Sequence, residues 1–314
     1  MRAPLSKETF SAACSGVYGR ILEPNGALII GLLACSFLSA PAAAQDPPPA
    51  LPHTAQVQMD SLASHVAEQI RHSKIDPALP KIFVIDFSNA GDKQFSKLGS
   101  VLADDFAQSL SGFASGFQVE DRGAFSAYLK ENWMGLDDLQ SEAVCLTLAR
   151  SLGGSGVVKG TIETEGNQQV RISLRLDGLG TDWNGDAQLP LTAALLELQK
   201  QPANSFARSP DAIQAEPGIL QPGVNGVSLP ICVFCPSPDY TELAREAKYR
   251  GTVELSLIVT KDGAVESIMV LKGAPFSLAE QAIEAVKKWK FKPAKFVGKS
   301  VSVRVPLDIE FQLY

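Results

Sequence analysis

Histidine and cysteine are scarce in this chain of 314 residues, which contains three histidines and five cysteines. The histidines are His53, His65 and His72, and no pair of cysteines lies near any of them in the sequence. A structural zinc site needs four cysteine or histidine ligands. We therefore predict neither a bound metal nor a cofactor.

The chain also lacks an excess of positive charge, since its net charge at pH 7 is −6. No basic stripe with interleaved aromatic residues is present, which argues against a nucleic-acid partner. Hydrophobic residues make up 45% of the sequence and charged residues 20%. These fractions are typical of a folded soluble protein, and the length favours two domains.

No set of residues with catalytic spacing is evident. Asp86 and the Asp104-Asp105 pair have no second catalytic group beside them in the sequence, so we interpret them as a strand-end polar residue and a solvated helix face. The glycine-rich stretch at 153–156 lacks the lysine and the following helix of a phosphate-binding loop. We predict no catalytic residue and no enzyme activity.

One uncharged, apolar stretch covers residues 26–44. A helix of this length rises about 28 Å, which is close to the thickness of a bilayer core. Three interpretations stay open: a signal peptide cut after Ala42-Ala43-Ala44, an uncleaved signal anchor, and a lipoprotein signal ending at Cys35. Residues 1–45 form this leader or anchor, and all three interpretations export the rest of the chain. Residues 46–56 are proline-rich and read as a short spacer.

Residues 57–190 alternate between predicted strands and helices, which indicates an α/β layer domain. Three motifs carry a resemblance here: V-I-D-F at 84–87, A-R-S-L-G at 149–153 and V-K-G-T-I at 158–162. They resemble the N-terminal domain of TolB and the related FlgO-like envelope modules, and the resemblance implies a protein-binding role. Proline and glycine recur from 191 to 235, which we predict to be a linker.

A C-x-x-C motif, Cys232 to Cys235, lies at the end of this linker. Pro236 and Pro238 follow it, so the helix start that activates thioredoxin-type cysteines is missing. A local disulfide, a redox site and a metal site are the alternatives, and export to an oxidising compartment favours the disulfide. Cys145 lies on an apolar helix face and is predicted to be a buried thiol.

The last segment of the chain, residues 236–314, reads by period as helix, hairpin, helix and strand. Asp262-Gly263 supplies the hairpin turn, and we expect the second helix to run through Trp289 to Pro293. The final strand alternates most regularly, because every odd-numbered residue from Val301 to Leu313 is apolar. One face of the sheet is therefore buried and the other is wet.

Pro306 interrupts the polar side of this strand. A proline has no N–H for a ladder hydrogen bond, so we predict that the strand lies at the edge of its sheet. Such an edge either accepts a partner's extended segment or is an ordinary edge protected by Pro306, Asp308 and Glu310.

The motifs of this segment, in order, are Pro238 and Tyr240, Ala244-Arg245, Gly251-Thr252-Val253, Asp262-Gly263, and W-K-F-K-P-A at 289–294. They resemble the C-terminal domain of the TonB family, which passes inner-membrane energy to outer-membrane receptors. The resemblance implies an α+β protein, with the α/β layer domain followed by a small TonB-like domain. It also implies a partner-binding surface formed by Ser237, Pro238, Asp239, Tyr240, Leu307, Ile309 and Phe311.

Three functions follow as hypotheses. The first is a TonB-type energy transducer or adaptor of the cell envelope, whose partners are outer-membrane TonB-dependent receptors and inner-membrane motor proteins. The second is a periplasmic assembly or scaffold protein that uses the same domains only for protein binding. The third is a thiol oxidoreductase at Cys232 and Cys235. The first requires that residues 26–44 anchor the chain in the inner membrane, although this segment contains no histidine.

Overall fold

The computed structural model describes residues 49–73, 79–166, 168–180, 183–203, 206–208, 213 and 216–313. The predicted leader at 1–45, including Cys14 and Cys35, lies outside the described residues. Helix α1 (His53–His72) opens the described chain. It includes the last four residues of the predicted spacer, and it buries Met59, Leu62, Ala63 and Val66 at the spacing of one helix face.

Two short strands and a long helix follow; the apolar run at 81–87 predicts a single strand there. They are β1 (Lys81–Val84), β2 (Ser88–Asn89) and α2 (Lys97–Gly112). The hydroxyl of Ser96 caps α2 by accepting a hydrogen bond from the Gly99 N–H at 3.3 Å.

Next come β3 (Gln118–Val119) and α3 (Arg122–Glu131), then a single 3₁₀ turn (Leu136–Leu139) and α4 (Glu142–Ser151). The carboxylate of Asp121 caps α3 by accepting from the Gly123 N–H at 2.9 Å. The sequence predicts helices over 125–133 and 143–152, so α3 begins three residues and α4 one residue before its predicted start.

Three longer strands complete the first sheet: β4 (Gly156–Glu165), β5 (Gln169–Asp177) and β6 (Trp183–Pro190). The strand order is β3-β1-β4-β5-β6, and β2 also pairs with β4. Strands β1, β2 and β3 make parallel pairs, whereas β4-β5 and β5-β6 are antiparallel. The apolar alternation at 157–162 and 170–176 predicts the β4-β5 hairpin, whereas β6 is not predicted.

The linker predicted at 191–235 contains regular elements at both of its ends. Helix α5 (Ala193–Glu197) runs directly into a 3₁₀ turn (Leu198–Lys200). Strand β7 (Ile231–Phe234) contains the first cysteine of the C-x-x-C motif. The short helix α6 (Glu242–Glu246) follows.

The C-terminal elements are β8 (Gly251–Val259), β9 (Val265–Lys272), α7 (Leu278–Val286), β10 (Lys290–Lys292), β11 (Ala294–Phe296), β12 (Lys299–Val301) and β13 (Val303–Phe311). One antiparallel sheet has the order β13-β8-β9, so β13 is an edge strand, as Pro306 predicts. Two small antiparallel ribbons, β7-β10 and β11-β12, lie outside this sheet.

The expectation that α7 continues to Pro293 is wrong, because α7 ends at Val286. Lys290–Lys292 forms β10, which pairs with β7. In this stretch lysine alternates with Trp289 and Phe291, which is the period of a strand rather than of a helix.

Two buried clusters fill the molecule. The first lies between the six-stranded sheet and the helices α1 and α2. The second contains residues of α3 and α4 together with residues of β8, β13 and α7. The described residues, which begin at 49, form one compact unit, and the second cluster contains residues of both predicted domains. The domain boundaries predicted from composition stay a prediction.

Candidate functional site

Most of the predicted partner-binding residues meet at one open groove of about 470 Å³. Those that line it are Ser237, Pro238, Tyr240, Ile309 and Phe311. The other two lie outside the groove. Asp239 is exposed to solvent, and Leu307 lies half-buried in the sheet opposite Leu255.

Tyr240 is held in place from several sides. Its ring packs edge-on against Phe311 with the centroids 6.0 Å apart, and its hydroxyl donates a hydrogen bond to the Tyr249 carbonyl. The guanidinium of Arg245 lies 5.5 Å from the ring centroid. Burial raises the pKa of the Tyr240 hydroxyl, which therefore stays a neutral donor at pH 7. Tyr240 is a fixed wall of the groove.

Thr241 sets the direction of the chain after the groove. Its hydroxyl accepts from the Ala244 N–H at 3.3 Å, which caps α6, and donates to the Phe276 carbonyl at 2.8 Å. The threonine thus fixes the start of α6.

The outer edge of β13 is divided into two halves. The first half is covered by the linker: the Leu220 N–H donates to the Ser302 carbonyl at 3.0 Å, and the Arg304 N–H donates to the Leu220 carbonyl at 3.0 Å. An ion pair between Arg304 and Glu216 holds the same segment against the strand. Leu220 is therefore a single-residue parallel bridge to this edge.

Beyond Arg304 the edge is open. Backbone direction alternates along an antiparallel strand, so the N–H and C=O groups of Asp308 and Glu310 point to the same outer side as those of Arg304. Pro306 also faces outward and has no N–H to offer. Past Leu220, no described segment pairs with β13 on this side. The second half of the edge therefore presents unpaired donors and acceptors beside the groove.

Five further residues line the groove without being among the predicted partner-binding residues: Cys235, Trp289, Asp308, Glu310 and Gln312. The indole N–H of Trp289 donates to the Pro236 carbonyl at 2.9 Å, which fixes the start of the groove. The signal that could have found Trp289 is its alternation with lysines, which places it beside β10 rather than inside α7.

Cys232 and Cys235 are joined by a disulfide. The bond spans the end of β7, and Cys232 lies opposite Phe291 of β10. Cys145 is a buried free thiol whose Sγ donates to the Leu139 carbonyl at 2.8 Å. Burial raises the pKa of this thiol to about 11, so it is protonated at neutral pH.

The carboxylates singled out in the sequence are held by an arginine. Asp86 and Asp104 both form ion pairs with Arg122, which also donates to the Val84 carbonyl at 2.7 Å. This arrangement ties the end of β1 to α2 and α3. Asp105 is half-buried on α2, and burial followed by the charge of Asp104 raises its pKa.

The chain is thus an α+β protein whose small C-terminal sheet ends in a partly open edge strand. Residues 236–313 match the family model described as Gram-negative bacterial TonB protein C-terminal. The C-terminal part of the chain is therefore a TonB C-terminal domain.

Two curated relatives agree with this assignment. "Protein tonB2" of Pseudomonas aeruginosa is 37% identical over 79 residues, which are 25% of this chain and 29% of that protein. "Protein TonB" of Vibrio cholerae is 27% identical over 113 residues, which are 33% of this chain and 46% of that protein. The matches thus span less than half of either relative. They support a TonB-like protein of the cell envelope.

Among solved structures, the solution structure of the Pseudomonas aeruginosa TonB C-terminal domain aligns with a TM-score of 0.23 and 21% identity, over 29% of this chain and 93% of that one. The LpoB C-terminal domain from Salmonella enterica aligns with a TM-score of 0.33 and 13% identity, over 43% and 97%. TM-scores this low do not establish a shared fold for the whole chain. The resemblance of the first domain to TolB-type modules stays a prediction.

Across the described ranges, none of the helices has the length and apolar character needed to cross a membrane. The apolar stretch at 26–44 lies outside those ranges.

Proposed function

We propose that the protein is a TonB-type transducer or adaptor of the cell envelope. Its C-terminal domain binds an extended segment of an outer-membrane TonB-dependent transporter by strand addition to β13. The observation that carries this proposal is the unpaired backbone of Asp308 and Glu310 beside the groove lined by Tyr240 and Phe311. Backbone hydrogen bonds supply affinity in such complexes, and pockets for alternate side chains supply specificity.

The geometry limits where the partner segment binds. Leu220 occupies the edge at Ser302 to Arg304, and Pro306 offers no donor. The open stretch runs over five residues, 307–311, or about 17 Å of extended chain. We therefore expect a short segment to pair with this stretch and to place one side chain in the groove.

The energy-coupling part of the proposal depends on the other end of the chain. A transducer must be tied to the inner membrane, where residues 26–44 would serve as the anchor and contact motor proteins. The rest of the chain would then lie in the periplasm. Retention in the inner-membrane fraction after a carbonate wash is the expected result, and a soluble periplasmic form that begins at Gln45 would contradict it.

A specific observation favours the second candidate, a periplasmic assembly or scaffold protein without a transducing role. The C-terminal domain shares its buried cluster with α3 and α4, so it is packed against the preceding part of the chain rather than connected to it by a long free spacer. The same edge strand would then dock a partner without transmitting force. The proposal of strand addition holds for both candidates, and we propose no enzyme activity for either.

The test of strand addition is a titration of the protein with peptides from the N-terminal segments of TonB-dependent transporters. Asp308→Pro removes one outward N–H and leaves the inward hydrogen bonds to β8 in place, so we expect binding to weaken at least tenfold, about 1.4 kcal/mol. Asp308→Asn keeps the backbone donor and should bind within about threefold of the natural chain.

The choice of position matters, because the backbone of Ile309 faces β8 and Ile309 lies opposite Val253. Ile309→Pro would remove a hydrogen bond within the sheet and lower stability, so loss of binding there would say nothing about the edge. Unchanged binding by a folded Asp308→Pro variant would overturn strand addition at β13.

A further inference from the structure

A second exposed surface lies on the two small ribbons of the C-terminal domain. Large apolar side chains lie in solvent there, among them Val233, 71% exposed, and Val297, 82% exposed. Leu229, Ile231 and Phe234 are also more than half exposed. We call these five residues, with the lysines that flank them, the ribbon patch. Apolar side chains clustered at this exposure mark an interaction site rather than ordinary surface.

Lysines are interleaved with these apolar residues on the same face. In the β7-β10 ribbon, Lys290 lies opposite Phe234 and Lys292 lies opposite Ile231. Residues directly opposite each other in an antiparallel pair project from the same side. The register shift beside Lys290 leaves Val233 as an additional outward residue.

The neighbouring ribbon repeats the arrangement. Lys299 lies opposite Phe296 at the tip of the β11-β12 hairpin, next to Val297. The two ribbons are joined where the Ser228 N–H donates to the Lys295 carbonyl at 2.9 Å and the Lys295 N–H donates to the Ser228 hydroxyl at 2.8 Å. The two ribbons of the ribbon patch are therefore neighbours, joined through the chain at Ser228 and Lys295.

The charge of this surface is of one sign. No acidic residue occurs between Glu284 and Asp308, although the whole chain carries −6. Within the described part of the chain, the lysines at 288, 290, 292, 295 and 299 form no ion pair. Their positive charge is thus available to an external anion.

Val297 adds a backbone argument. Its φ is 49°, in the left-handed region that a β-branched residue adopts only at a cost. The Val297 side chain does not contribute to a buried cluster, because most of its surface is exposed to solvent. A strained residue that displays an apolar side chain at a turn suggests a functional constraint rather than a structural one.

We propose that the ribbon patch docks on the surface of an anionic phospholipid bilayer, with the apolar side chains in the interface and the lysines against the headgroups. Lysines combined with leucine and phenylalanine are typical of segments that lie in a membrane interface. Protein-binding surfaces, in contrast, are depleted in lysine and enriched in tyrosine, tryptophan and arginine. The inference goes beyond the proposed function, because it involves neither β13 nor a transporter segment.

The test uses the full chain carrying Phe234→Trp, mixed with vesicles that contain brominated lipids. We expect the added tryptophan to be quenched in vesicles of phosphatidylglycerol and phosphatidylcholine, and not in phosphatidylcholine alone. Val57→Trp, which is also exposed but lies on α1, is the matched control and should not be quenched in either. The parent chain gives the signal of its own three tryptophans.

Three further variants separate lipid binding from folding. Lys290→Ser with Lys292→Ser should weaken binding about 25-fold, at about fivefold per lysine near an anionic surface. Lys93→Ser with Lys130→Ser, two exposed lysines of the first domain, should leave it unchanged. Val297→Gly should relieve the backbone strain and keep the unfolding midpoint or raise it, while quenching decreases.

Quenching that is equal in both kinds of vesicle, or equal for the probes at positions 234 and 57, would overturn the proposal. Self-association of the parent chain that is lost in Val297→Gly, with no quenching by anionic vesicles, would assign the ribbon patch to a second copy of the chain instead.

Discussion

The six-stranded sheet packs one face against α1 and α2, and these helices precede or interleave with its own strands. The three-stranded sheet packs against α7 and also shares a buried cluster with α3 and α4, which come from the first domain. The cluster under the first sheet thus consists of residues from the first part of the chain alone, whereas the cluster under the second sheet is completed by residues of α3 and α4. The TonB C-terminal domain of this chain packs against α3 and α4, and its stability should depend on these helices.

Direct contacts across this junction support the comparison. The Gly273 N–H donates to the Trp133 carbonyl at 2.9 Å, and the Tyr249 hydroxyl donates to the Asp138 carboxylate at 2.6 Å. The guanidinium of Arg208 lies 3.4 Å from the centre of the Trp133 ring. These contacts join residues far apart in sequence, 111 positions in the case of Tyr249 and Asp138.

The largest effect on stability is expected from a cavity in the part of the second cluster that α4 contributes. Leu148 of α4 and Leu102 of α2 are both fully buried, one in each cluster. Replacing either by alanine should cost about 3 kcal/mol of unfolding free energy. Only Leu148→Ala should also lower the hydrogen-exchange protection of amides in β8 and β13. Equal protection of those strands in the two variants would mean that the second sheet is independent of the first domain.

A smaller effect is expected where the residue after β9, Gly273, lies against the end of α3. A Cβ atom added at Gly273 would lie 1.9 Å from the Asn132 carbonyl oxygen, so the backbones must separate. We expect Gly273→Ala to lower the unfolding free energy by about 2 kcal/mol in chemical denaturation. Gly91→Ala meets no atom within 4 Å and should change it by less than about 0.5 kcal/mol. Equal unfolding free energies for the two variants would show that the backbones at Gly273 and Asn132 can separate without loss of stability.

Much of the second sheet could be predicted from local pattern alone. The alternation of Val303, Leu307 and Phe311 fixes the buried face of β13, and the missing N–H of Pro306 places it at an edge. Strand β6 could not be found in this way, because two of its inward residues are Gly185 and Ala187. Small residues facing a sheet's core leave a weak alternation signal.

The candidate site was predictable only in part, for a related reason. Tyr240 could be named because it lies in a motif of the TonB family, and Phe311 because it lies on the apolar face of the alternating last strand. The pairing of Leu220 with the edge of β13 could not be predicted, since a bridge of one residue produces no periodic pattern in the sequence. The Tyr249–Asp138 contact depends on how two domains pack, which no local pattern encodes.

The junction also places a carboxyl group in an apolar setting. Asp138 is held by the Tyr249 hydroxyl, and its second oxygen has no hydrogen-bond partner among the described residues. Burial raises the pKa of Asp138, although the Tyr249 hydrogen bond and the charge of Lys272 act in the opposite direction. Burial, and then the charge of Asp138, raise the pKa of the Tyr249 hydroxyl, so it remains a donor.

The smallest effect is therefore a dependence of junction stability on pH. Because the pKa of Asp138 is higher in the folded than in the unfolded state, the folded state binds more protons between these two values. The unfolding free energy should fall as pH rises from about 4, the ordinary value, through the raised pKa. Asp138→Asn keeps an acceptor for Tyr249 and does not titrate. The stability of the natural chain relative to Asp138→Asn, measured by denaturation at several pH values, should decrease over this window and then level off. A difference that stays constant or rises with pH would mean that Asp138 reaches solvent and that the two domains separate there.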